Sequence, residues 1–317
     1  MPPSLTAPPN TAWEPRPVPR ILSVAGSDPS GGAGIQADLK SIAAAGGYGM
    51  AAVTALTAQS TQAVTAVHVP PPSFLAQQLD TLAADVTLDG VKIGMLATAD
   101  AADVVTRWLD GGGAGSSPVV VDPVMVSTSG DRLLDPVAEH ALRRLLERAD
   151  VVTPNVPELA VLLAEPTAGG WAEVVDQAVR LAGRHGVLVV AKGGHLAGEQ
   201  VPDALVGPHG VVVELPGVRV PATSTHGTGC SLSSGLVTRY AREGDWAQAL
   251  RRTKEWLVGA IAAGEALDVG HGHGPVDHFW ALREDLDGAA RPSPAGRAPG
   301  KHVGPRWDNG GDAVQPA

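Results

Sequence analysis

Ile21-Leu-Ser-Val-Ala25 runs directly into Gly26-Ser-Asp-Pro-Ser-Gly-Gly-Ala-Gly34 and then into Ile35-Gln-Ala-Asp38-Leu-Lys40. A short apolar, β-branched run, a glycine-rich turn and a helical pattern make the first half of a βαβ unit. The alternation continues along the chain. Buried strands are predicted at 21–25, 50–56, 90–93, 119–122, 151–153 and 187–192, and helices at about 35–45, 73–84, 99–109, 136–148, 157–164 and 171–185. Ala204–Val206 and Val211–Leu215 flank a Gly-Pro-His-Gly turn and predict a hairpin, and Cys230–Leu267 is predicted helical. Strands separated by helices of this length give a mostly parallel sheet, so the fold class is α/β. One domain from about 20 to 285 is expected. Ligands in such folds bind at the carboxyl ends of the strands, where several polar motifs fall.

Composition narrows the function classes. The 317 residues carry 23 basic and 33 acidic side chains, a net charge of −10, which argues against a nucleic-acid partner. Apolar content of 44% is ample for a core, and with only 3% aromatics that core must be built from Ala, Val, Leu and Ile. Cys230 is the single cysteine, which excludes an intrachain disulfide framework and fits a reducing, cytoplasmic setting. The charge-free stretch Ser41–Leu79 is broken by Gly46, Gly47, Gln59 and Pro70–Pro72. It never offers the ~20 consecutive apolar residues of a membrane span. Nor does the N-terminus show a basic region followed by an apolar run, so no membrane or export signal is expected. Residues 1–19 and 286–317 hold twelve of the 27 prolines without apolar periodicity, and both tails are expected to be disordered.

Gly32-x-Gly34-x-x-Ala37 matches a dinucleotide fingerprint on paper, but nothing acidic lies between Asp38 and Asp80 to hold a ribose. The dehydrogenase reading is rejected. The turn still presents backbone N–H groups to a ligand, or serves as a tight turn alone. Asp38 falls on the first turns of the following helix, facing either the sheet edge or water. No Walker A motif is present, so phosphate chemistry needs another scaffold.

The strongest local signal is Thr225-His-Gly-Thr-Gly-Cys230-Ser231, which opens a helix. Small and glycine positions there expose backbone N–H groups, and the helix dipole adds to them, giving a pocket for phosphate or a developing oxyanion. Cys230 sits at the same helix start, where a thiol pKa tends to fall. The competing reading is a small buried cysteine capping a turn. Asn155 and Glu158, three apart across another helix start, suit a hydrated Mg²⁺, with capping as the alternative for Asn155. Lys192, one of five lysines against 18 arginines, ends an apolar strand before Gly193-Gly194, and Asp122 closes another strand. His271, His273, Asp277 and His278 have the composition of a metal cluster, but flanking glycines favour a loop closing over a nucleotide.

Together these segments resemble the hydroxymethylpyrimidine and phosphomethylpyrimidine kinases of thiamine biosynthesis, a branch of the ribokinase-like superfamily. The likeness runs from about 20 to 281 and rests on AGSDPSGGAGIQADLK (25–40), TALTAQST (54–61), VKIGML (91–96), VDPVM (121–125), SGDRLL (129–134), TPNVPE (153–158), KGGH (192–195), THGTGCS (225–231) and VGHGHGPV (269–276). The resemblance implies a three-layer α/β/α sandwich that uses ATP and Mg²⁺ to phosphorylate hydroxymethylpyrimidine and then its monophosphate, and a homodimer. Carried over by position, Gln59 would pair with the aminopyrimidine, Gly26 and Asp38 would contact the ring and its hydroxymethyl arm, and Met95 would cover a ring face. Asp122, Asn155, Glu158 and Lys192 would handle Mg²⁺ and the ATP phosphates, with Glu158 and Asp122 toward the metal and Thr225 and Thr228 beside ATP. Gly227 to Gly229 would form the anion hole, with Cys230 next to the transferred group as a base for the first step. Some relatives fuse this domain to another thiamine enzyme, and the roughly 32 residues after 285 are too few for a second domain. Two rivals stay open: a pyridoxal kinase on the same scaffold, and a silent relative that binds pyrimidine without turnover.

Overall fold

The computed structural model describes residues 15–125 and 138–283. A compact unit ends at Ala281. Both expected tails lie largely outside the described residues, as do SGDRLL and the first residues of the helix expected at 136–148. Residues 15–19, read from sequence as tail, are anchored: the Arg16 N–H donates to Ala241 O, and Pro19 O accepts from the Tyr48 N–H.

Nine strands form one sheet: β1 (Arg20–Ser27), β2 (Tyr48–Gln59), β3 (Val64–His68), β4 (Gly90–Ile93), β5 (Val119–Val121), β6 (Val151–Val152), β7 (Leu188–Lys192), β8 (Asp203–Gly207) and β9 (Gly210–Leu215). Their spatial order is β3-β2-β1-β4-β5-β6-β7-β8-β9. The run from β2 to β7 is parallel, as the alternation predicted. At the two edges β3, β8 and β9 pair antiparallel.

Strand pleating sorts the core. Leu22, Val24, Val121, Val152 and Val189 face one side, toward α2 (Pro72–Ala83), α3 (Ala99–Asp110), α4 (Ala138–Leu146), α5 (Val156–Leu163) and α6 (Trp171–His185). Their neighbours Ile21, Val120, Val151 and Val190 face the other, toward α1 (Gly34–Ala44), α7 (Thr228–Glu243) and α8 (Trp246–Ala263). Each strand is thus apolar on both faces, the mark of a parallel sheet between two helical layers. The expected three-layer α/β/α sandwich is what forms. Among the described residues no helix is long and apolar enough to cross a membrane.

Two departures from the sequence reading matter. The edge strand β3 (Val64–His68) has no counterpart among the predicted strands. The stretch predicted helical after Cys230 is two helices, because Gly244 takes a left-handed φ of 73° and Asp245 then caps α8 through the Gln248 N–H at 2.9 Å. β1 is central, with β2 on one side and β4 on the other. The connections from β1 to β2 and from β3 to β4 run on opposite faces, so the order reverses beside β1 and opens a crevice at the strand C-termini.

Candidate active site

A cavity of about 710 Å³ opens in that crevice. It is lined from the ends of six parallel strands: Gly26 from β1, Gln59 from β2, Met95 after β4, Asp122 after β5, Asn155 after β6 and Lys192 from β7. The start of α7 closes it with Thr225, Gly227, Thr228, Gly229 and Cys230, and Glu158 enters from α5. Residues spread over most of the chain converge because each strand delivers its C-terminal residue to the same rim.

Asp38 is the exception, and a correction. It is fully buried and does not line the cavity. Its carboxylate takes both contacts from Lys92 Nζ (2.8 and 2.9 Å), the Ser23 hydroxyl (2.6 Å) and the Ser234 hydroxyl (2.8 Å). Four contacts from three donor groups leave it no capacity for a substrate. Helix periodicity alone left it facing the sheet or water; Lys92 on β4 decided the matter.

The anion-binding corner is built by α7. Gly227 takes φ 80° ahead of the helix, and a Cβ there would stand 1.8 Å from Gly32 O, so only glycine fits. No side chain caps the helix, and while the Thr228 N–H donates to Thr225 O at 3.4 Å, the Gly229 and Cys230 N–H groups at its start are open to a ligand. A Cβ at Gly229 would lie 3.4 Å from Asp122 Oδ2 and 3.9 Å from Lys192 Nζ, filling the space between them. Lys192 itself stands 3.8 Å from Asp122 Oδ1, an ion pair at the edge of contact. The same Oδ1 accepts from the Thr153 hydroxyl at 2.9 Å.

Asn155 serves the role that sequence left open. Its Oδ1 accepts from the Glu158 N–H (2.9 Å), while Glu158 Oε2 accepts from the Asn155 N–H (2.8 Å), a capping box on α5. Asn155 still lines the cavity, but its oxygen is spent on the helix. Burial pushes the Glu158 carboxyl up to about 7, with Lys192 pulling against it and Asp122 adding to the rise. Two carboxylates that burden each other in this way, beside the uncapped start of α7, fit a cation that would relieve both.

Cys230 also departs from expectation. Burial pushes its thiol up to about 12, against the pull of Lys92 and with Asp38 and Asp122 adding to the rise. The helix start does not make a resting thiolate here, because desolvation outweighs the dipole.

Sequence reading missed Asp28 and His226. Burial favours the neutral Asp28, yet His226 at 2.8 Å and the N–H groups of Ser30 and Ala33 hold its carboxyl down to about 2. Their partnership joins positions 198 apart, and no local pattern announces it. Also missed was the far end of the cavity, where Val218, Val220, Leu257 and Ile261 form an apolar wall beside Lys254. The glycine-rich 269–276 loop does not line the cavity; Gly272 N–H donates to Thr61 Oγ1 and Gly274 O accepts from the His226 N–H. Among the described residues no cluster of three or more His, Cys, Asp or Glu could hold a metal, so the histidines there form none.

The family model for phosphomethylpyrimidine kinase matches residues 28–277, a span that takes in every strand but β1 and most of the cavity lining. The chain belongs to that family. It is 52% identical over 265 residues to the thiamine biosynthesis multifunctional protein ThiED of Corynebacterium glutamicum, covering 84% of this chain and 34% of that protein. The chain thus spans about a third of the length of the corynebacterial ThiED relatives it matches. Similarity to the hydroxymethylpyrimidine/phosphomethylpyrimidine kinase of Escherichia coli is 45% over 261 residues, 82% of this chain and 97% of that one. Among solved structures, the ADP complex of Bacillus subtilis pyridoxal kinase superposes with a TM-score of 0.75 at 30% identity, covering 84% of this chain and 99% of that chain. The family's fold is therefore the ribokinase-like one.

Proposed function

We propose that the protein phosphorylates 4-amino-5-hydroxymethyl-2-methylpyrimidine from ATP, and then phosphorylates the monophosphate to the diphosphate, in thiamine diphosphate biosynthesis. One observation carries the reading: Lys192 and Asp122 face the uncapped start of α7 in the same cavity that holds Gln59, Gly26 and Met95. Phosphoryl transfer depends on positioning and charge neutralisation, and this corner supplies both. The Lys192 ammonium and the first-turn N–H groups of α7 meet the transferred group. Asp122 and Glu158 would hold Mg²⁺, which supplies charge neutralisation for the phosphates when bound. The apolar wall of Val218, Val220, Leu257 and Ile261 suits the base of ATP.

Acceptor chemistry explains the neutral thiol. In the second step the acceptor is a phosphate monoester with a second pKa of about 6, already ionised at neutral pH. A neutral Cys230 puts no negative charge beside it. In the first step the thiol carries its proton at rest, so a base role requires it to give that proton to solvent or a neighbouring acceptor before it can take the one from the alcohol. Cys230→Ala tests this: a base role confines the loss to the free alcohol, and full activity with the alcohol removes the role.

The likeness to a pyridoxal kinase supports a second reading, phosphorylation of pyridoxal. ADP release with Mg-ATP and hydroxymethylpyrimidine, its monophosphate or pyridoxal decides between them. Turnover of the monophosphate is expected; turnover of pyridoxal alone overturns the thiamine assignment, and silence with all three favours a binding protein. The proposal extends to a cytoplasmic setting and a homodimer, which sedimentation velocity checks.

A further inference from the structure

The Gln59 amide is surrounded by groups whose protons can be counted. On one end His226 Nε2 lies 3.5 Å from Gln59 Nε2 and 2.8 Å from Asp28 Oδ2. On the other, the Thr57 hydroxyl lies 3.0 Å from Gln59 Oε1 and 2.9 Å from the Ser27 carbonyl oxygen. All five residues line the cavity.

Asp28 can only accept. Its Oδ1 takes the Ser30 N–H and its Oδ2 the Ala33 N–H, both at 2.8 Å, and its carboxyl is held down to about 2. A carboxylate 2.8 Å from an imidazole nitrogen requires the proton to sit on that nitrogen, so His226 carries it on Nε2. That N–H then meets the Gln59 amino group donor to donor. At the opposite end Thr57 has one proton for two acceptors, the Ser27 carbonyl and Gln59 Oε1. A half-turn of the amide about its last bond removes both conflicts. The amide nitrogen then donates to Thr57, whose own proton goes to Ser27, and the amide oxygen accepts from His226, which shares its N–H with Asp28.

The imidazole is placed rigidly enough to impose this. A Cβ on Gly32 would stand 2.2 Å from His226 Cδ2 and 3.0 Å from Nε2, so the Cδ2 edge of the ring abuts that glycine and leaves no room for any other residue there. Its main chain is tied by its N–H to Gly274 O at 3.0 Å and pairs with Pro275.

We propose that Asp28 and His226, with Thr57, fix the direction of the Gln59 amide and thereby select an acceptor ring that carries an amino donor beside a ring-nitrogen acceptor. Each end of the fixed amide keeps one hydrogen-bonding position: a lone pair on the oxygen and an N–H on the nitrogen. An amino group meets the lone pair and a ring nitrogen meets the N–H in one ring orientation only. That orientation sets where the hydroxymethyl arm points relative to Cys230. A ring without the amino group covers the half-buried amide yet leaves the oxygen's remaining lone pair unmatched, the situation in which binding sites discriminate strongly. Asp28 and His226 act here as positioning residues, and the selection rests on the aminopyrimidine reading above.

Two measurements separate the inference from that reading. Long-range ¹⁵N–¹H NMR of the ligand-free protein reads the His226 tautomer, expected as Nε2–H; an Nδ1–H imidazole overturns the relay whatever the substrate. Calorimetry with hydroxymethylpyrimidine and with its analogue lacking the 4-amino group reads the selection. The wild type should prefer the amino compound by about 100-fold, and His226→Phe, which keeps an aromatic ring at this position without the N–H, should reduce that preference to about tenfold or less. Thr57→Val, acting from the other end, should shift it in the same direction. In a Gln59→Ala background His226→Phe should change the preference no further. Equal weakening of both compounds, or an effect that persists undiminished in that background, overturns the selection. Binding of neither compound by the wild type overturns the aminopyrimidine reading and the ring selection with it.

Discussion

Two lysine–aspartate pairs lie close to the start of α7, and they differ in every respect that matters. Lys92 and Asp38 are both fully buried, 2.8 Å apart, with two serine hydroxyls completing the carboxylate. Lys192 and Asp122 stand 3.8 Å apart on the cavity wall, and the lysine is 14% exposed. The first pair is saturated; its charges have nothing left to offer a ligand and instead tie α1, β1, β4 and α7 together. The second is held loosely, so its ammonium can exchange a weak internal contact for a phosphate. Charge in a cleft marks a binding site only where its hydrogen-bonding capacity is unspent.

The largest expected effect is on the sealed pair. Lys92→Met leaves Asp38 as an uncompensated buried charge and should lower stability by about 3–5 kcal/mol, read as a shift in urea midpoint. Lys92→Met with Asp38→Leu should recover most of that loss. Equal loss in the single and double variants would break the distinction between the pairs. On the open pair the effect should move from stability to rate: Lys192→Ala should cost about 100-fold in kcat, with stability altered by less than about 0.5 kcal/mol. A large stability loss there would make the open pair structural too.

The smallest expected effect sharpens the contrast through pH. Glu158 is raised from 4.5 to about 7 in the folded protein, so between those values the folded state holds a proton that the unfolded state lacks. Stability contributed by the protonated form is therefore lost as pH rises through that window. Glu158→Gln keeps an acceptor for the Asn155 N–H and removes this cost, so it should stabilise at pH 8 by on the order of 2 kcal/mol and change little at pH 4. Activity should fall in the same variant, since the carboxylate is proposed to hold the metal. No gain at pH 8 would show that Lys192 already neutralises Glu158.

Sequence carried most of the fold because buried parallel strands advertise themselves: Val119–Val121 and Val151–Val152 are apolar throughout, and the glycine turns punctuate them. Edge strand β3 stayed hidden because Val64–His68 is mostly exposed and has no buried run to read. At the site, residues that end strands were legible from position alone, Lys192 and Asp122 among them. Residues whose role depends on a distant partner were not. Asp38 could face the sheet edge or water by helix position alone until Lys92 arrived from β4, and His226 drew no role from its local pattern. The Cys230 thiol was misjudged because local pattern shows a helix start but not the burial around it.

Gly227 rests on Gly32, and His226 on Asp28, so the first and last loops of the cavity are built against each other. During synthesis the first strand, its glycine turn and the Gln59 strand emerge long before the Thr225–Cys230 segment. A growing chain therefore owns half a cavity for most of its time on the ribosome, with the Asp28 carboxylate lacking its imidazole. Ligand can stabilise only the chain that has been synthesised past α7, and a product truncated before that helix gains nothing from an abundance of nucleotide.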